Sequence, residues 1–120
     1  MIISLLSRGQ RGPGQFDTAS YVVDDTIQTA YLQFDPHNNE LSTLKIVKVD
    51  MFTSVDDGQT WRHDQGFTAQ GPWTFRPFIE IADVPRYVGK RVMGRIDLPQ
   101  QINCGIQLFV NEIPPATLPF

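Results

Sequence analysis

The residues able to do chemistry in this chain are few, and their spacing limits what they could do together. His37, His63 and Cys104 are the only imidazole and thiol groups in 120 residues. Nucleophilic catalysis needs a base beside the nucleophile and a third group to orient that base, and the two histidines lack a third partner. A metal reading of His37 with Asp35, or of His63 with Asp64, falls short of the three convergent ligands that a metal needs. Both histidines are expected on surface turns. Cys104 sits in an alternating apolar stretch with no basic neighbour to lower its pKa, which is the setting of an inert core thiol. Asp24, Asp25, Asp35, Asp56, Asp57 and Asp64 could gather at loop ends, but they lack the regular spacing of a calcium loop. Gly9-x-x-Gly12-x-Gly14 precedes no helix, so it is not read as a phosphate cradle. The chain is therefore read as a non-enzyme, with no catalytic residue, cofactor or metal site assigned.

The elements that would carry any site are strands. The hydrophobic fraction of 41% and charged fraction of 19% are ordinary for a globular domain, and a chain of this length supports one core. No run of about 18 apolar residues is present, and the first residues lack the basic start of a secretory leader, so neither membrane insertion nor secretion is expected. Net charge is −3. Met1 to Gln15 holds Arg8 and Arg11 and no acid, leaving a more acidic body that does not fit a nucleic-acid binder.

Period-two alternation recurs along the chain. Thr29 to Phe34 reads as a strand closed by the turn Asp35-Pro-His-Asn-Asn39. Leu44 to Val55 puts Val47, Val49, Met51 and Val55 on one face, and its partner starts at Thr60. Trp73 to Ile81 reads as an edge or bulged strand because of Pro77, with Trp73, Phe75, Ile79 and Ile81 inward. Lys90 to Leu98 and Ile102 to Val110 alternate cleanly, and Tyr21 to Val23 adds a weaker strand. About seven strands without helices imply an all-β antiparallel sandwich, jelly-roll or immunoglobulin-like. Residues 16–112 form this domain. Residues 1–15 are expected as a flexible N-terminal arm on account of their glycines and proline, and residues 113–120 as a Pro-rich C-terminal tail.

Ser54-Val-Asp56-Asp-Gly58-Gln-Thr60-Trp61 fits Ser-x-Asp-x-Gly-x-Thr-Trp, and this resembles the Asp-box of sialidases and other β-propeller proteins. In those families the box is a structural turn. The physical reading is a hairpin lock, with the Asp56 carboxylate accepting backbone N–H bonds, Gly58 supplying positive φ, and Trp61 packing beneath the loop. One box in 120 residues is no propeller. More widely, Thr29 to Glu112 resembles the small β-sandwich virion structural proteins of tailed bacteriophages, several of which act as capsid decoration or cement proteins.

That resemblance implies a non-enzymatic virion subunit, made in the host cytoplasm, whose partners are capsid or other virion proteins and further copies of itself, a trimer being favoured. Arg8 and Arg11 would lie across acidic capsid surface. Alternation turns Phe52, Phe78 and Phe109 outward as assembly contacts. The alternative is a carbohydrate-binding sandwich in which Trp73, Phe78 or Tyr87 stacks on sugar rings.

Overall fold

Alternating side chains decide the architecture. The computed structural model describes residues 1–114. Its strands are β1 (Ile2–Arg11), β2 (Gly14–Asp17), β3 (Tyr21–Val22), β4 (Ala30–Pro36), β5 (Ile46–Ser54), β6 (Arg62–Gln70), β7 (Phe78–Glu80), β8 (Arg91–Leu98) and β9 (Ile102–Val110). Short 3-10 turns at Asn38–Glu40 and Val84–Tyr87 are the helical elements described. On β5, Val47, Val49 and Met51 are fully buried, as are Ile96 and Leu98 on β8 and Ile102, Cys104, Ile106 and Leu108 on β9. Each set recurs at every second residue, so each strand offers one apolar face and two sheets must close on one another.

One sheet has the order β1-β9-β4-β7 and the other β2-β8-β5-β6, with β3 also on β8. All strand pairs are antiparallel. The first strand thus pairs with the last, and the chain passes repeatedly between sheets. This is the arrangement of a jelly roll, one of the two sandwich forms expected from sequence. Phe34 and Leu32 of β4 project into the core, where Phe34 meets Trp73 edge-on at 5.4 Å between ring centroids.

The N-terminal segment corrects the sequence reading. Residues 1–15 are not a free arm: Ile2–Arg11 is a full strand on β9, and Gly14 and Gln15 already belong to β2. Leu5 is buried in the core, and register shifts at Ser4/Leu6 and Leu6/Gly9 let the strand bend around it. The glycines and proline that suggested disorder instead make a corner between the two sheets. Gly12 has φ +99°, and a Cβ there would lie 2.8 Å from the Gln100 carbonyl oxygen, so the corner requires glycine.

A second correction concerns 73–81, where only Phe78–Glu80 is strand. Trp73, Ile79 and Ile81 are buried as expected, but Phe75 is 54% exposed. The alternation fails because Pro72 and Pro77 cannot donate to a ladder and the segment crosses from one sheet to the other as a loop. Of the tail expected at 113–120, residues 115–120 lie outside those described.

Because β1 fills the core and closes its sheet, deleting residues 1–11 should abolish cooperative urea unfolding followed by tryptophan fluorescence, rather than leave an intact domain. Leu5→Ala should cost about 2–5 kcal/mol in the same measurement.

Candidate functional site

The Ser54–Trp61 hairpin connects β5 to β6 and is held by a dense set of side-chain hydrogen bonds. The Ser54 hydroxyl donates to Asp56 Oδ1 at 2.7 Å and accepts from the Gly58 amide at 2.8 Å. The Thr60 amide donates to Asp56 Oδ1 at 2.9 Å and the Thr60 hydroxyl to Oδ2 at 2.5 Å. Asp57 and Gly58 take positive φ at the tip, and Asp57 accepts from Arg91 Nε at 2.5 Å. The Thr60 side chain and amide, with the Ser54 hydroxyl, hold the Asp56 carboxyl down to about 2. The lock read from the sequence is therefore present, with Ser54, Asp56, Gly58 and Thr60 in the roles expected. Trp61 is half-buried, its ring against Gly58.

Phe78 and Phe109 stand on the outer face of the β1-β9-β4-β7 sheet, both half-buried. Between them lies Tyr31 of β4, which sequence reasoning did not single out. Its ring stacks on Phe109 at 4.5 Å with planes 4° apart and meets Phe78 edge-on at 5.4 Å. Ile2, exposed on β1, is paired with Phe109, so an apolar row crosses all four strands. Tyr31 was missed because it alternates outward on a strand whose every residue is buried; the signal was its place opposite Phe109 once β4 and β9 pair.

Phe52 does not join this row. It lies on the outer face of the other sheet, with the Arg95 guanidinium 4.7 Å above its ring and His63 edge-on at 5.4 Å. Arg95 is itself held by Asp17 at 2.6 Å, and His63 Nε2 is 2.9 Å from Asp50 Oδ1. The three phenylalanines thus occupy opposite surfaces, and Phe52 is capped by a cation.

The two arginines expected to reach a partner are committed within the chain. Arg8 grips the buried Asp35 through Nη2 at 2.7 Å and Nε at 3.2 Å, and Arg76 Nε approaches the same carboxylate at 3.4 Å. Arg11 donates to the Cys104 and Gly9 carbonyl oxygens. The reason is the strand itself: with β1 in register on β9, both side chains fall on acceptors of their own domain.

Trp73 and Tyr87, named as sugar-stacking candidates, are buried. The Tyr87 hydroxyl donates to Asp64 at 2.6 Å, so neither ring offers a face to a ligand. His37 Nδ1 accepts from the Asn39 amide and caps a 3-10 turn. Cys104 is in the core, where burial pushes its thiol up to about 11. Among the described residues, no three His, Cys, Asp or Glu side chains converge as a metal site.

The surface also holds a cleft of about 400 Å³ beside the hairpin, lined by Thr53, Val55, Thr60, Trp61, Arg62 and Lys90. A more apolar one of about 420 Å³ lies between β6 and β7, lined by Phe67, Ala69, Phe75, Arg76, Pro77 and Phe78 among others. No protein-family model, curated protein or solved structure matches the chain.

The depressed Asp56 carboxyl links the hairpin to pH. Its stabilisation is complete above the unfolded carboxyl value of about 4 and is lost as pH falls through about 2. Acid titration followed by NMR should show this group titrating at about 2, and Asp56→Asn should flatten the stability profile in that window. Ser54→Ala should cost about 1–3 kcal/mol in urea titration, since it strands bonds at a buried hydroxyl.

Proposed function

We propose that this jelly roll is a non-enzymatic virion structural protein, a decoration or cement subunit that docks on a phage shell through the outer face of its β1-β9-β4-β7 sheet. The observation that carries the proposal is the Ile2–Phe109–Tyr31–Phe78 row. Cross-strand pairing accounts for part of this alignment, and Tyr31 is already buried, but Ile2 is exposed and Phe109 and Phe78 are half-buried, so an apolar strip stays open along the row and favours a partner. Covered by a partner, such a row is an anchor: buried aromatic area contributes about 25 cal/mol per Å², and aromatic residues are enriched at the centres of interfaces.

The mode of docking differs from the one the sequence suggests. Arg8 and Arg11 are internal ties and the N-terminal strand is part of the body, so attachment falls to a rigid face with no arm to order. Rigid docking avoids the ordering cost of about 1–2 kcal/mol per residue that a flexible arm carries, so a standard-size interface is sufficient. Capsid protein is the proposed partner, with copies of this chain arranged about a local three-fold.

Cosedimentation with shells assembled from the major capsid protein of the same genome tests this. The wild-type chain should saturate at a fixed ratio per capsomer. Ile2→Lys combined with Phe109→Lys should keep the circular dichroism of the fold and weaken binding at least tenfold. Wild-type protein that stays in the supernatant, or a variant that binds as well, would contradict the proposal.

A further inference from the structure

We infer that the cleft beside the Ser54–Trp61 hairpin is a binding site for an acidic saccharide. The cleft lies at the hairpin end of the β2-β8-β5-β6 sheet and belongs to a different surface from the docking row, so this inference goes beyond the structural role and does not rest on it.

Its charge is the first argument. Arg62 and Lys90 line the cleft, and no carboxylate does. In a chain of net charge −3, six of the ten cationic side chains have a carboxylate within 4 Å: Arg8, Lys45, Lys48, Arg76, Arg91 and Arg95. Among the described residues, Arg62 and Lys90 have none, and Lys90 stands over the Tyr87 ring at 5.6 Å. The acids near them in sequence are engaged elsewhere: Asp64 accepts from the Tyr87 hydroxyl, Asp56 is bonded to Ser54 and Thr60, and Asp57 to Arg91, so neither cation of the cleft is ion-paired among the described residues. An anion arriving there would find charge-assisted donors that no internal carboxylate holds.

Shape and surface chemistry narrow the class. About 400 Å³ falls within the range of small-molecule sites. One wall is the half-buried Trp61 indole, an apolar platform for the C–H face of a sugar ring. Thr53 and Thr60 bring hydroxyls, and the Thr60 hydroxyl donates to Asp56, which leaves its oxygen free to accept. A ring platform, two cations and two hydroxyls together match a ligand with one apolar face, one carboxylate and several hydroxyls. A purely apolar ligand would leave the cations desolvated and unpaired, at a cost. The hairpin lock holds Thr60 and Trp61 in place before any ligand arrives, so little ordering is needed on binding.

Isothermal titration of the full chain with glucuronate, galacturonate and N-acetylneuraminate, beside neutral glucose and inorganic sulfate, reads the site. At least one acidic sugar should bind saturably below about 10 mM, at least tenfold tighter than glucose and sulfate, and weaken as salt is raised. Arg62→Gln with Lys90→Gln, both surface changes that keep the fold, should reduce that affinity at least tenfold. Trp61→Phe should retain part of the binding and Trp61→Ala lose it, with near-native circular dichroism required of each. Failure of every acidic sugar to bind, sulfate binding as tightly as the sugars, or unchanged affinity in the double glutamine variant would overturn the inference. None of these results bears on shell docking, which the Ile2 and Phe109 variants read separately.

Discussion

The pairing of the first strand with the last is the constraint on which the rest of the molecule depends. β1 closes the sheet beside β9, Leu5 plugs the core from that strand, and Arg8 clamps it through the buried Asp35. Asp35 belongs to β4, two strands away from β1 in the sheet, so the ion pair ties three strands together across Gly105. A Cβ at Gly105 would come within 2.4 Å of the Leu6 carbonyl oxygen, and that close approach is what allows β1 to bend over β9 at its register shifts. Burying a carboxylate is costly unless it is paired and hydrogen-bonded, and here both arginine nitrogens supply the compensation.

Closure decides which surfaces remain for partners. With β1 in the sheet, its residues are unavailable as a tether, and the surfaces left open are sheet faces and loop ends. Three of the four sheet edges are blunted in ways that discourage indiscriminate strand pairing, the nine-residue β6 being the exception. β1 is bent by register shifts, β7 has three residues, and β2 and β3 share one side of β8 as short pieces. The two outer faces are chemically unlike. One carries the apolar row of Ile2, Phe109, Tyr31 and Phe78; the other carries Asp17, Arg95, Asp50 and His63 around Phe52. Such asymmetry gives the molecule a face suited to burial and a face suited to water.

Much of the sandwich was legible because burial imposes period two. The faces of β5, β8 and β9 were readable, except that Val55, read as inward, lies past the end of β5 and is exposed, and the hairpin lock was legible because Ser54, Asp56, Gly58 and Thr60 act locally, within one turn. What escaped the sequence was non-local. Glycine and proline between Gly9 and Gly14 have one local meaning in a loose terminus and another at a corner between sheets, and only the distant partner β9 selects between them. Arg8 and Arg11 look free until Asp35 and the Cys104 carbonyl are brought to them. Tyr31 gains its role only through pairing with Phe109. Phe75 departs from alternation because its segment crosses between sheets, and the cleft at Trp61 needs Lys90, which is distant in sequence, beside the hairpin.

The claim that the N-terminal strand is structural is open to direct measurement by amide hydrogen exchange on the native protein. If β1 closes the jelly roll, the Ile2–Arg11 amides bonded to β9 exchange only through global opening, with the same free energy as the central amides of β4 and β9. Exchange of those amides at rates close to an unstructured chain, while β4 and β9 stay protected, would show that the domain stands without its first strand and would contradict the account.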